Sequence, residues 1–240
     1  MASPLEQFQV KTIIPITIGP VDASFTNSAL FMVIAVAAVT ILLTTSMRGR
    51  ALVPGRMQSL AELAYEFVAN MIRSNVGTEG RRYFPFVFTL FMFILFGNML
   101  GMIPYSFTFT SHIVVTLGMA MVVFIGTTFI GFAKHGMRFF TFFLPHGTPW
   151  YIAPLLVPIE VLSYFTRPIS LALRLFANMT AGHTMLKVFA GFVVAMGLAG
   201  AVPFVATVAL TGLEFLISFL QAYVFTVLTC IYLNDALHLH

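Results

Sequence analysis

An arginine in an apolar stretch is the first residue of this sequence that could do chemistry. Arg174 lies in SLALRLFANMTAGH, residues 170–183, and no acidic residue lies within nine positions of it. Arginine has a pKa above about 12 and does not release its proton in proteins. It can attract a carboxylate, favour the ionised form of that carboxylate and repel a passing proton. Arg174 is therefore interpreted as a fixed cation beside a proton path, with its carboxylate partner expected from another protein.

The other polar residues of this stretch fall on two faces of a helix. At about 100° per residue, Glu160 and Asn178 lie on the same side as Arg174. His183 points the opposite way. If Pro168 kinks the helix, the placement of Glu160 weakens, whereas that of His183 does not change. The helix is thus expected to have an arginine face and a histidine face.

A second apolar helix carries two further polar residues. Glu214 and Gln221 are seven positions apart and therefore share a helix face. A histidine titrates at about pH 6.5 and can relay protons. Glu214 beside His183 would therefore complete a patch of side chains that can take up and release protons. Arg167 and Lys187 lie nearer the ends of their helix. For these two, a snorkelling or salt-bridged side chain is as good an interpretation as a functional one.

The composition indicates a membrane protein. Of the 240 residues, 59% are hydrophobic and 8% are charged, and the mean hydropathy is +0.97. A soluble domain has about 25% charged residues, so this chain cannot cover its surface with polar groups. Its net charge of +4 is not gathered on a soluble face, which argues against a nucleic-acid partner. The single cysteine, Cys230, is expected to be a buried free thiol.

We expect an all-α polytopic membrane protein that forms a single membrane domain over residues 1–240. It should contain about five membrane-embedded helices plus one amphipathic interfacial helix, for which docking on a soluble partner is the weaker interpretation. The expected segments are an outer-side tail over 1–24, membrane helices over 25–47, 83–103 and 113–133, the amphipathic helix over 57–74, and a long hairpin over 151–237.

The two arms of the hairpin are longer than a membrane is thick. About 40 residues at about 1.5 Å per residue give roughly 60 Å, which is twice a hydrocarbon core of about 30 Å. An ordinary helix tilt of about 20° from the membrane normal cannot bring a helix of this length within the hydrocarbon core. Either the helices break, with Pro168 as a candidate kink, or the hairpin is steeply tilted. A steeply tilted hairpin would wrap around a partner.

The basic residues orient the chain. Loops rich in lysine and arginine face the cytoplasm or the matrix. Two loops on one side of the predicted bundle together hold Arg48, Arg50, Arg56, Arg73, Arg81, Arg82, Lys134 and Arg138. The opposite side holds only Lys11, so the N-terminus is expected outside and the C-terminus inside. Five crossings satisfy this arrangement.

Three segments together resemble one known family. SLALRLFANMTAGH, with LQAYVFTVL in the last helix and GNMLGMIPY at 97–105, is similar to subunit a of F-type ATP synthase. The resemblance covers essentially the whole chain. It implies a proton-conducting stator subunit beside a rotating ring of c subunits, held by peripheral-stalk b-type subunits, with no catalytic site, cofactor or metal of its own. ATP synthesis would take place in soluble subunits, since this chain has no phosphate-binding loop.

The resemblance also implies roles for individual residues. The essential arginine of the family matches Arg174, and the matching asparagine, glutamine and upstream acid are Asn178, Gln221 and Glu160. Many bacterial members have an acid where this chain has His183 and a histidine where it has Glu214. The exchanged order resembles alphaproteobacterial and mitochondrial members. It keeps one acid and one imidazole in the same inferred channel.

The implied mechanism has two offset half-channels. His183 and Glu214, with Asn178, line the outer one, and Glu160 is a candidate for the inner one. Arg174 separates the two. A self-contained ion carrier or channel and a purely structural scaffold are the alternatives. The bacterial inner membrane and the mitochondrial inner membrane both fit, as do protons and sodium, although His183 favours protons.

Overall fold

A computed structural model describes residues 8–18, 21–22, 24–48, 51, 53–103, 106–143 and 151–238. Arg50, Pro104 and the part of the predicted aromatic loop at 144–150 lie outside these residues. Within them, five helices are long and apolar enough to cross a membrane. This confirms the expected all-α polytopic class.

The chain contains six α-helices among its described residues. Four of them fall within two residues of the expected segments, three because long apolar runs are the helices that lipid can surround and one because its apolar residues recur at helical spacing. Their bounds are α1 Asn27–Met47, α2 Arg56–Asn75, α3 Phe84–Gly101, α4 Ile113–His135, α5 Ala153–Ala195 and α6 Ala201–Leu237.

Short strands precede the first helix, where the sequence predicts only a tail. β1 (Thr12–Ile14) pairs antiparallel with β4 (Phe25–Thr26), and β2 (Thr17–Ile18) pairs antiparallel with β3 (Val21–Asp22). The Asn27 side chain links this region to α1, because Lys11 N donates to its Oδ1 at 3.1 Å and its Nδ2 donates to Gln9 O at 3.1 Å. Runs of two or three residues are too short to give a strand signal in sequence.

Helix α5 runs unbroken for 43 residues and contains both Pro158 and Pro168. At about 1.5 Å per residue it is about 64 Å long. The predicted break of this helix at Pro168 is therefore wrong and the long continuous hairpin is correct, while a kink at Pro168 stays a prediction. Neighbouring helices can satisfy the backbone groups that a proline frees in a membrane. The steep tilt of the hairpin in a bilayer stays a prediction.

The packed core joins α3, α4, α5 and α6. Its side chains are mostly aliphatic and phenylalanine residues, and they include Val87, Phe91, Ile94, Ala120, Val123, Leu171, Leu175, Met179, Ala222 and Phe225. Cys230 belongs to this core and is a fully buried free thiol, as expected. Large apolar side chains on the outer surfaces of the same helices remain exposed, as lipid contact allows.

Helix α2 divides its apolar stripe between two environments. Val68 and Ile72, in its C-terminal half, are buried in the core. Met57, Leu60 and Leu63, in its N-terminal half, are exposed. The free apolar surface of the first half is what a helix lying in a membrane interface needs.

Candidate functional site

His183 and Glu214 lie side by side between α5 and α6. His183 Nδ1 is 3.3 Å from Glu214 Oε1, and the two residues are 8% and 3% exposed. Both carboxylate oxygens of Glu214 lack a partner in hydrogen-bond geometry. The pair is therefore close enough to share a proton but is not fixed by a directional hydrogen bond.

Gly182 makes this approach possible. A Cβ atom at position 182 would lie 2.7 Å from Glu214 Oε1, which is closer than real Cβ contacts. A side chain on this residue would thus occupy the space of the carboxylate. The glycine before His183 is part of the site because of the room it leaves.

The second ring nitrogen of His183 is held by a threonine. Thr108 Oγ1 lies 3.1 Å from His183 Nε2 and also donates to Gly101 O at 3.3 Å. In the same connection between α3 and α4, Ser111 O accepts from Thr180 Oγ1 at 3.2 Å. These hydrogen bonds hold the middle of α5 against the connection between α3 and α4.

The arrangement at Thr108 constrains the proton on His183. The threonine hydroxyl has one hydrogen and two neighbouring acceptors, Gly101 O and His183 Nε2. When the hydrogen goes to Gly101 O, the threonine oxygen accepts from Nε2–H and a neutral ring presents the Nδ1 lone pair to Glu214; when it goes to Nε2, a neutral ring presents Nδ1–H. Attraction between Nδ1 and the carboxyl group requires one proton between them. Either Nδ1–H of His183 donates to a carboxylate, or a neutral imidazole accepts from a protonated Glu214.

A cavity reaches His183 from the bundle end where α3 finishes. We call it the His183 cavity. It measures about 360 Å³, and its polar lining residues include Thr108, His183, Lys187, Thr207 and Thr211. Lys187 is exposed and has no ion-pair partner among the described residues. The cavity links the buried pair to the end of the bundle away from Arg81 and Arg82.

Arg174 lies on the other side of α5 from His183. It is exposed, as is Asn178 one turn later, and no described carboxylate makes an ion pair with it. The neighbouring Leu173 is 44% exposed, so the guanidinium stands in an apolar outer surface. Glu160 is half-buried in the first part of the same helix, where no described cation pairs with it. The helix thus has the two faces expected from the sequence.

Polar residues continue along the buried face of α6. Ser218 and Gln221 follow Glu214 at steps of four and three, and all three are buried. Asn98 of α3, which is fully buried, donates to Ser218 O at 3.3 Å. Its Oδ1 has no described partner. Asn98 was not among the expected site residues. It is a single amide in an apolar helix, and the residue pattern of α3 does not show whether such an amide has a structural or a functional role.

Arg167 forms an ion pair with a residue that the sequence did not single out. Its guanidinium donates to Asp235 Oδ2 at 2.8 Å. The rings of Phe142, Tyr164 and Tyr232 surround the guanidinium carbon at 5.2–5.5 Å. The salt bridge that was one interpretation of Arg167 is therefore present. In the sequence, Asp235 could be noticed only as an acidic residue in the last turns of the final helix.

His112 is a further imidazole near the site. It immediately precedes α4, and its ring stacks on Phe107 with centroids 5.0 Å apart. Burial lowers its pKa below the ordinary value for histidine, and its Nε2 has no described partner. The ring is therefore favoured in its neutral form, and it adds no charge beside the connection that holds Thr108.

Comparison with known proteins identifies the family. The family profile described as ATP synthase A chain matches residues 29–234. Proteins named ATP synthase subunit a are 58% identical in Paramagnetospirillum magneticum, over all of both chains, and 58% identical in Rhodospirillum rubrum, again over all of both. One from Pelagibacter ubique is 53% identical over 99% of this chain and 98% of its own. A match of this extent and identity leaves no part of the bundle outside the family, and the chain therefore belongs to the ATP synthase A chain family.

Proposed function

We propose that this chain is the proton-translocating stator subunit of an F-type ATP synthase. The observation that carries the proposal is the division of α5 into two faces. A buried His183–Glu214 pair occupies one face, and an unpaired, exposed Arg174 occupies the other. One face can carry protons, and the other can act on a carboxylate of a neighbouring protein.

Protons enter through the His183 cavity. The cavity brings water and Lys187 near the imidazole, and one proton then resides between His183 and Glu214. A proton arriving from the cavity displaces the shared proton toward α6, where Ser218 and Gln221 continue the polar line. Asn178, one turn from Arg174 on the exposed face, lies where a partner carboxylate would take up the proton.

The partner is a rotating ring of c subunits with one carboxylate on each. The ring packs against the exposed apolar face of the hairpin, to which Leu173, Leu216 and Leu220 contribute. A neutralised carboxylate can move into lipid, whereas an ionised one cannot leave the cation. Arg174 therefore favours the ionised form and blocks direct passage of protons from one half-channel to the other.

Protons leave through a second half-channel lined by Glu160. This residue is fourteen positions before Arg174, so it lies about 21 Å along the helix axis. That distance brings it to the bundle end where α4 and α6 finish. The offset between the two paths obliges the ring to turn for a proton to cross.

The chain itself carries out no chemical conversion. It acts within the ATP synthase complex, with peripheral-stalk b-type subunits holding it still while soluble subunits make ATP. The relatives named above are bacterial, and we place the chain in the bacterial inner membrane with Arg81 and Arg82 on the cytoplasmic side. The mitochondrial inner membrane is the alternative location.

Proton flux in lipid vesicles tests the proposal against a self-contained carrier. Vesicles are prepared with the purified chain alone, with the c ring alone and with the assembled membrane sector. We expect flux, measured with a pH-sensitive dye under an imposed potassium potential, only from the assembled sector. Flux through the chain alone at a comparable rate would show that it is a carrier and that the ring is not needed.

A further inference from the structure

A second cavity lies at the end of the bundle opposite the His183 cavity. We call it the α3–α4 cavity. It measures about 770 Å³ and lies between the turn that precedes α3 and the last turns of α4, with the end of α6 beside it. His135 of α4 contacts Leu237 O at 3.2 Å, which holds the ends of α4 and α6 together here. The proton path described above uses none of the residues that line this cavity.

The charged residues of the α3–α4 cavity leave one cation outside an ion pair, although Glu79 attracts it at longer range. Lys134 donates to the Glu79 carboxylate and so has its counter-charge. Arg82, in the turn Glu79–Tyr83, also lines the cavity, and no described carboxylate is in ion-pair contact with it. The lining therefore has one negative and two positive side chains and a net charge of +1.

The other wall of the cavity is apolar and continues outside it. Phe129, Ile130 and Ala133 of α4 form this wall. Phe129 is 72% exposed, and Ile125 and Val122, at 58% and 59%, extend the same exposed strip along α4. Residues at steps of three and four lie on one helix face, so the strip faces the hydrocarbon region in a membrane.

We propose that the α3–α4 cavity binds one anionic phospholipid. Its phosphate pairs with Arg82, and an acyl chain lies along Phe129 and Ile125. Basic pockets between membrane helices on the cytoplasmic side suit the phosphate groups of anionic lipids. Guanidinium also matches phosphate in geometry, since it can donate two parallel hydrogen bonds.

The combination of one cation outside an ion pair and a long apolar strip selects this ligand. A soluble phosphate would use Arg82 but would leave the strip on α4 unused. A zwitterionic lipid would use the strip but would bring its own cation to a site that already has a positive excess. Only a lipid with a net negative headgroup complements both parts of the cavity.

Photo-crosslinking in the assembled ATP synthase tests this site. The complex is reconstituted with phosphatidylglycerol or phosphatidylcholine that carries a photoreactive group on one acyl chain. Labelled peptides are then identified by mass spectrometry. We expect the anionic probe to label residues 122–133 of α4 more than the zwitterionic probe does. Each cation near a membrane surface contributes about 1 kcal/mol to anionic lipid binding, or about fivefold in the labelling ratio.

Four variants separate the site from general surface charge. Arg82→Gln should lower the ratio of anionic to zwitterionic labelling about fivefold, and Arg82→Lys should keep most of it. Glu79→Gln should raise the ratio, because it frees Lys134 and brings the lining to +2. Arg56→Gln is the matched control, since this exposed cation starts α2 and does not line the cavity. Its ratio should equal that of the unmodified complex.

The same experiment can overturn the proposal. Equal labelling of α4 by both probes would show a surface without charge selection. A ratio unchanged in Arg82→Gln, in complexes with a full set of subunits and normal proton pumping, would remove Arg82 from the site. Absence of labelling by either lipid would show that a partner helix, not a lipid, covers the cavity. None of these results depends on whether the proposed proton path is correct.

Discussion

His183 Nδ1 lies 3.3 Å from Glu214 Oε1 on one face of α5, while Arg174, nine residues earlier, is exposed on the other face. The separation of these groups has a chemical reason. A permanent cation in contact with Glu214 would hold it ionised and would prevent it from passing a proton on. In the proposed mechanism, placing Arg174 on the opposite face leaves the pair able to take up and release a proton. It also leaves the cation free for a carboxylate from outside the chain.

Arg174→Ala is expected to abolish ATP-driven proton pumping while the complex stays assembled. The reason is the loss of the cation that meets the ring carboxylate at this outer surface in the proposed mechanism. Arg174→Lys should fail nearly as badly, because lysine can lose its proton and has no planar fork of donors. Dye-quenching in inverted membrane vesicles measures the pumping. Leu173→Ala, at the neighbouring exposed position, is the control and should keep most of it, whereas near-normal pumping by Arg174→Ala would refute the assignment.

Gly182→Ala should impair proton translocation severalfold without loss of assembly. A methyl group at this position would lie 2.7 Å from Glu214 Oε1, so the carboxylate must move away from His183. Gly191→Ala in the same helix is the matched control, because a Cβ there meets nothing within 4 Å. Both changes favour the helix by about 1 kcal/mol, so a difference between them reports on the contact. Equal pumping by the two variants would mean that the position of the carboxylate does not matter.

The ion pair of Arg167 with Asp235 is expected to stabilise the hairpin. Removing either partner leaves the other half-buried and unpaired, with Arg167 still among three aromatic rings. Arg167→Gln and Asp235→Asn should each shorten the half-life of pumping at raised temperature. The double variant should lose less than the sum, with a coupling of about 1 kcal/mol or more. Strictly additive losses would show that the two side chains act independently.

Helix α2 is expected to lie on the cytoplasmic surface without crossing the membrane. Single cysteines at Val53 and Thr78, both exposed residues that flank the helix, allow the test. The native Cys230 is fully buried and gives no background. Membrane-impermeant maleimide should label both flanks from the cytoplasmic side and a cysteine at Lys11 from the other side. Labelling of the two flanks from opposite sides would show that α2 spans.

The sequence predicted the long helices and the two faces of α5 because both depend on local regularities. Apolar runs fix the membrane helices, and the rotation of about 100° per residue separates Arg174 from His183. Contacts between distant parts of the chain could not be read in this way. Thr108 reaches His183 across 75 positions, and Asp235 reaches Arg167 across 68. Neither residue type is unusual where it occurs, so only the fold shows that they meet.

Exchange of His183 and Glu214 tests whether they work as a pair. The contact of 3.3 Å and the one proton that attraction between the two groups requires predict that one acid and one imidazole are needed, in either order. His183→Glu places two carboxyl groups in one buried site, and Glu214→His places two imidazoles there. Like groups at this distance disturb each other's protonation, so each single change should impair proton translocation strongly.

The double variant His183→Glu with Glu214→His restores one group of each kind and should recover a substantial part of the pumping. The coupling between two residues in contact is the part of the loss that is not additive, and the four complexes measured together give it directly. The recovery should be incomplete, because a glutamate at position 183 no longer presents a ring nitrogen to Thr108. Adding Thr108→Val to each complex separates this effect. Thr108→Val should weaken the unmodified pair more than the exchanged pair, since only the unmodified pair has an imidazole nitrogen at position 183 that hydrogen-bonds to the threonine hydroxyl. A double exchange no better than the worse single, in fully assembled complexes, would count against the pair and would make His183 a separate site.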